Sequence, residues 1–105
     1  EELERLGLDE IPFPVEEPGF SGTVRTSSNC FITKDPETGL RNCGAYSAHY
    51  AGRTKIRCGI APTHHGHIHW KKASAAGQSL PVADVVGVLP NLMYTASASL
   101  PYCVD

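Results

Sequence analysis

Four histidines fall within six residues in the run Thr63-His64-His65-Gly66-His67-Ile68-His69-Trp70. Imidazole nitrogens suit divalent metals. The same run stands at the start of a predicted helix, and a helix N-terminus offers unpaired N–H groups and partial positive charge to a phosphate. Metal or phosphate binding is therefore the chemistry this run could perform. A polar helix start with solvated histidines is the plainer alternative, because short His-rich tracts are compositional signals only. A second unusual run, Asn42-Cys43-Gly44-Ala45-Tyr46, interrupts a predicted strand. Asn and Gly are poor strand formers. Close approach of the backbone to a ligand would explain them, but a β-bulge is the simpler expectation. Arg53, Lys55 and Arg57 alternate on one strand face, where an anion could bind, although such runs are usually solvated. Asp84 lies in an apolar strand; unpaired and buried it would cost several kcal/mol, so an exposed edge position is expected. No G-x-S-x-G elbow, P-loop or Rossmann glycine fingerprint is present, and no Cys–His spacing supports a nucleophilic pair.

These runs need elements to hold them. Asp35-Pro36-Glu37-Thr38-Gly39 is a strong turn, in which Pro36 presets one turn residue and Gly39 supplies a positive φ. The flanking strands, Asn29–Lys34 and Leu40 toward Tyr50 with a break or bulge near Gly44, form an antiparallel hairpin. Further strands are predicted over Gly22–Ser27 and, after a turn at Ala51–Thr54, over Lys55–Ile60. The helix spans His64–Gln78, with Ile68, Ala75 and Ala76 as a narrow apolar side, Trp70 at its edge and Gly77 as its stop. Pro81–Leu89 reads as a buried strand, and Pro90–Leu100 as a second helix with proline in its first turn. Glu1–Leu8 reads as a short helix, after which Pro12, Pro14 and Pro18 impose extended chain. The sum is an α+β unit ordered βββαβα, an antiparallel hairpin and sheet with two helices. Residues 1–18 are read as an N-terminal extended or linker segment and residues 19–105 as the domain.

Composition narrows the function classes. A chain of 105 residues suits one domain, and an apolar fraction of 41% supports a small core rather than disorder. A net charge of -2 argues against an electrostatic nucleic-acid binder. No apolar run approaches the roughly 20 residues that span a bilayer, and the acidic start of the chain is the wrong chemistry for a signal peptide. Four cysteines stand at positions 30, 43, 58 and 103 with no C-x-x-C pair, so buried thiols in a cytoplasmic protein are the default. Cys30 and Cys43 are the exception, because they flank the hairpin turn and could face each other.

The stretch from Thr33 to Trp70 contains T-K-D-P-E-T-G, then N-C-G-A-Y-S, then Gly52-Arg53 at the next turn. It resembles the UbiD family of non-oxidative decarboxylases, whose pattern is T-x-D-P-x-T-G, then N-x-G-x-Y-R, then a hydrophobic residue and G-[KR]. The resemblance continues through Pro81-Val82-Ala83-Asp84-Val85-Val86-Gly87 and covers most of residues 19–105. It implies a split β-barrel flavin-binding domain that uses prenylated FMN with a divalent metal, usually Mn2+, and K+. By resemblance Asn42 and His65 match metal-ligating positions. Ala45 and Tyr46, with Ser47 after them, then Gly59, Ile60 and Ala61, then His64 and His65, fall where the cofactor is lined.

The departures matter equally. The family carries an arginine, beside the substrate carboxylate, where this chain has Ser47, which offers no bidentate cation. A glutamate metal ligand and the catalytic acid/base carboxylate are expected beyond Asp105, as are the strands that complete the barrel. The resemblance thus implies part of a carboxy-lyase for aromatic or α,β-unsaturated acids, inactive as an isolated chain. It also implies association, either as a homo-oligomer or with a chain that supplies the rest of the barrel. Two other readings stand beside it: a non-catalytic binding or self-assembling module, and a His-cluster metal-binding domain without flavin.

Overall fold

The computed structural model describes residues 7–13, 19, 24–26 and 29–102. The elements are a 3-10 turn at Leu8–Glu10, β1 (Arg25–Thr26), β2 (Asn29–Lys34), β3 (Arg41–Gly44), β4 (Ala48–Gly52), β5 (Lys55–Cys58), α1 (His65–Ala75), β6 (Val82–Val86) and α2 (Pro90–Ala96). The expected α+β class is observed, with two antiparallel three-stranded sheets and two helices. The chain forms two compact units, residues 1–27 with 47–59, and residues 28–46 with 60–105. The expected segment boundary at residue 18 and most of the Glu1–Leu8 helix lie outside the described residues, as does Cys103.

The first unit holds the sheet β1-β4-β5. Thr26 and Ala48 are both buried and face each other across β1 and β4. The Thr26 hydroxyl accepts from Ala48 N–H at 3.1 Å and donates to its carbonyl at 3.3 Å. The turn at Leu8–Glu10 is tied in by Leu8 N–H donating to Arg53 O at 2.7 Å and by the Tyr50 hydroxyl donating to Leu8 O. Phe13 packs edge-on to Tyr50 at 5.7 Å. Arg53, Lys55 and Arg57 are exposed, and Arg53 pairs with Asp9 at 3.3 Å, so this run is a solvated face.

The second unit is built on the hairpin of β2 and β3. Its turn closes as the residues dictate. Asp35 Oδ1 accepts from the amides of Glu37 (2.8 Å) and Thr38 (3.3 Å), Gly39 takes φ 78°, and Asp35 N–H returns to Leu40 O at 2.8 Å. The strand expected from Leu40 to Tyr50 divides at residues 45–47 and leaves the hairpin for the other sheet. The ladder before the break is regular, from Lys34↔Arg41 to Phe31↔Gly44, so no bulge lies at Gly44; the register shift falls instead between Tyr50 and Gly52. Cys30 and Cys43 are joined by a disulfide, their Cα atoms 6.2 Å apart, and the default of buried thiols does not hold for them.

β6 pairs antiparallel with β2 on the side away from β3. It is not the buried strand its apolar run predicts: Val82 and Val86 are each 50% exposed. The reason is positional, because α1 and α2 lie against β2 and β3 and leave β6 as an edge. Asp84 meets its expectation there, exposed and accepting from Asn29 Nδ2 at 2.6 Å. In α1 the buried face is Gly66, His69 and Ala73, spaced to share one side; the expected Ala75 and Ala76 are exposed. Gly77 (φ 70°) ends the helix, with Gln78 N–H reaching back to Ala73 O at 2.9 Å, a glycine-terminated C-cap. α2 begins at Pro90 and buries no residue.

Candidate functional site

A cavity of about 430 Å³ opens in the second unit. Residues 42–46 at the end of β3 form one wall, Thr63, His64 and His65 at the start of α1 a second, and residues 96–100 after α2 a third. Its volume lies in the range of small-molecule sites. The asparagine amide and the histidine at position 65, from separate elements, thus share one concave surface.

Tyr46 explains the glycines around it. Its ring stacks on His64 at 5.3 Å with planes 25° apart, and lies 5.9 Å from Phe31. A Cβ at Gly44 would fall within 2.7 Å of Tyr46 Cε2, and one at Gly66 within 3.2 Å of the Tyr46 hydroxyl. The glycine in a regular strand is there because a neighbouring ring folds back over it. Tyr46 and His64 both line the cavity.

The same unit holds a buried polar network. Asp35 is 1% exposed. Its Oδ2 accepts from Lys72 Nζ at 2.8 Å and from the Tyr102 hydroxyl, and Lys72 also meets Glu37 at 2.9 Å. Burial alone would push the Asp35 carboxyl up, but donation from Lys72, Tyr102 and the two turn amides outweighs it and holds the group well below the usual carboxylate range. Hydrogen bonds to Asp35 and Glu37 raise the Lys72 ammonium. Burial, then the bond to Asp35, raises the Tyr102 phenol. His69 is 2% exposed, and its Nδ1 shares a hydrogen with Thr33 Oγ1 at 2.9 Å. Burial is the main cause that lowers its pKa, and the nearby Lys72 and His65 add to it against the pull of Asp35.

The four histidines do not converge. His64 stacks on Tyr46, His65 lies edge-on to Tyr102 at 5.2 Å, His67 Nδ1 is 3.2 Å from Ile60 O, and His69 is buried on Thr33. Among the described residues no group of three or more His, Cys, Asp or Glu side chains is placed to hold a metal ion. Helical geometry separates His65 from His67, since neighbouring positions fan around the axis, while His65 and His69 share a face on which both meet the Tyr102 ring. The reading of a flavin-free His-cluster metal domain therefore loses its geometric basis.

The family described as UbiD, 3-octaprenyl-4-hydroxybenzoate carboxy-lyase Rift-related domain, matches residues 1–105. The chain belongs to the UbiD family. A protein of Aquifex aeolicus with no assigned function is 42% identical over 100 residues, covering 95% of this chain and 20% of that protein. The anhydromevalonate phosphate decarboxylase of Methanosarcina mazei is 32% identical over 63 residues, 60% of this chain and 15% of that enzyme. Among solved structures, an evolved dimeric form of the UbiD-class enzyme HmfF from Pelotomaculum thermopropionicum, in complex with prFMN, superposes with a TM-score of 0.87 at 26% identity, covering 97% of this chain and 24% of that one. The chain spans about a fifth of the length of the relatives it matches.

Of the residues the UbiD resemblance singles out, Asn42, Ala45, Tyr46, His64 and His65 line the one cavity. Ile60 and Ala61 do not line it, and Ser47 and Gly59 belong to the other unit. There, Arg25 Nη2 donates to Ser47 Oγ at 2.9 Å. Sequence reasoning missed Lys72 and Tyr102 altogether. The one local signal was Asp35 at the head of its turn; its partners sit 37 and 67 residues away. The donor set fits the cation the family implies, since an amide oxygen and an imidazole suit a borderline metal.

Proposed function

We propose that this chain is the flavin- and metal-binding part of a UbiD-type decarboxylase. It would take prenylated FMN, with Mn2+ and K+, for turnover of an aromatic or α,β-unsaturated carboxylic acid in the cytoplasm. The observation that carries the reading is the single cavity onto which Asn42, Tyr46, His64 and His65 all open. When bound, prenylated FMN supplies the electron sink or cycloaddition partner for loss of CO2. The residues of this chain bind and orient. Asn42 and His65 would offer an amide oxygen and an imidazole nitrogen to the cation. Tyr46 and His64 line the cavity that would hold the ring system. Ser47 stands where the family pattern places an arginine and offers no cation to the substrate carboxylate. Acid/base chemistry falls to carboxylates outside this chain, so the isolated chain binds without turning over. Residues 19–105 act as the binding domain.

The test is binding. Flavin fluorescence of prenylated FMN or FMN is titrated with the purified chain, with and without Mn2+. The reading expects saturable quenching that Mn2+ tightens and that Tyr46→Ala and Asn42→Ala weaken. Equal quenching by the wild type and both variants would overturn it. A second reading, an assembling module, is supported by the exposed Val82 and Val86 on the β6 edge strand and Leu89 just after it. It expects a homo-oligomer, or pairing with the remaining barrel strands, seen as a concentration-dependent sedimentation coefficient.

A further inference from the structure

We propose that Tyr102, anchored on Asp35, is a positioning residue for His65 and fixes its imidazole at the cavity wall. The consequence for metal binding rests on the reading above; the placement of the ring does not. Asp35 has four acceptor sites in all, and each is taken: the Glu37 and Thr38 amides on Oδ1, Lys72 and Tyr102 on Oδ2. The carboxylate is buried and pinned by the hairpin turn on one side and by α1 on the other. The Tyr102 hydroxyl is therefore tied to the most constrained group in the unit. Its ring is then wedged between two imidazoles one helical turn apart, edge-on to His65 at 5.2 Å and to His69 at 5.8 Å. His69 cannot yield, because it is buried and bonded to Thr33. Lys72 lies 5.3 Å over the same ring. Of the two imidazoles only His65 lines the cavity. A rigid phenol against a fixed His69 leaves His65 one direction in which to lie. This is how partners behind a ligand set its orientation.

The experiment uses the chain with two variants, Tyr102→Leu, which removes the aromatic edge, and Tyr102→Phe, which keeps the ring and cuts the bond to Asp35. Side-chain NMR reads the three-bond couplings of His65, and Mn2+ titration by EPR in the presence of FMN reads the metal. The wild type is expected to show one His65 rotamer with contacts to the Tyr102 ring. Tyr102→Leu is expected to average those couplings and weaken Mn2+ about tenfold, with Tyr102→Phe between the two, while His67→Ala, outside the cavity, leaves both unchanged. A single unaveraged His65 rotamer in a folded Tyr102→Leu chain overturns the proposal. Where Tyr102→Leu does not fold, the same couplings in Tyr102→Phe decide it. Absence of Mn2+ binding in the wild type would overturn the functional reading and not this one, since the rotamer measurement still judges Tyr102.

Discussion

Gly44→Ala puts a methyl group where the Tyr46 ring stands. The added Cβ would lie 2.7 Å from Cε2 and closer still to Cζ and the hydroxyl oxygen, against an ordinary carbon contact of about 3.5–4.0 Å. The backbone at Gly44 is held by the ladder opposite Phe31, so the ring must move by about 1 Å or more. It is hemmed in by His64, Phe31 and Gly66. Overpacking of this kind costs about 1–3 kcal/mol, and each kcal/mol lowers the melting temperature by about 4–8 °C in a domain near this size. In a Tyr46→Ala background the same methyl meets no ring. There, replacing glycine should be neutral or stabilise by about 0.4–1 kcal/mol, because the unfolded chain loses freedom. A double-mutant cycle by urea unfolding should therefore give a coupling of about 1–3 kcal/mol between positions 44 and 46. Flavin quenching should fall in Gly44→Ala even where the chain remains folded, since the displaced ring is part of the cavity wall. An equal cost of Gly44→Ala in both backgrounds would refute the argument that Tyr46 dictates the glycine.

Acid should weaken the fold in two stages. His69 has its folded pKa lowered from 6.5, so the unfolded chain binds more protons as pH falls below that value and stability declines there. Asp35 is lowered from 3.8, so its contribution is complete above that pH and is lost below it. Urea midpoints measured across pH should show both declines, and Asp35→Asn should abolish the second. Alanine at Asn42 or His65 should weaken Mn2+ binding by about 10–100-fold, read by EPR, with little change in melting temperature because neither side chain is buried. Reduction of Cys30–Cys43, a loop with sequence separation 13, should lower stability by about 3 kcal/mol in a chain-entropy picture, seen as a lower urea midpoint in dithiothreitol that Cys30→Ala/Cys43→Ala reproduces without reductant.

What could be read from the sequence was what is decided locally. The hairpin was legible because Asp35, Pro36 and Gly39 fix a turn within five residues, and β2 appears with the bounds its residues predict. The end of α1 was legible because Gly77 alone can take φ 70° at low cost. The division of the third strand was not, since residues 41–44 and 48–52 look like one interrupted strand until their partners are known, and those partners are β2 and β1 in different sheets. β6 misled for the same reason: the largely apolar run Pro81–Leu89 predicts burial, but the helices lie against β2 and β3 instead. Around the cavity, residue types alone drew attention to the runs holding Asn42 and His65, and only the family pattern paired the two. Nothing in their 23-residue separation says that they share a cavity. Asp35 looked like an ordinary turn residue, because its role depends on Lys72 and Tyr102.

The core couples stability to the site. Among the described residues the buried apolar set is Cys30, Phe31, Ala48 and Ala73, while Thr26, Asn29, Thr33, Asp35 and His69 are buried and polar. A core this poor in aliphatic side chains leans on satisfied hydrogen bonds, and each of those polar groups has its partner. Buried polar groups demand fixed geometry from whatever satisfies them, because leaving one unpaired costs about 1–3 kcal/mol. The partners of Asp35 and His69 are the hairpin, α1 and Tyr102, and the hairpin and α1 also form two walls of the cavity. Asp35 and His69 thus join the hairpin to α1, the two elements that carry Asn42 and His65 into the cavity. A substitution in that network should therefore change ligand affinity and stability together, whereas one on the exposed face of α1, such as Lys71→Ala, should change neither by more than about 0.5 kcal/mol.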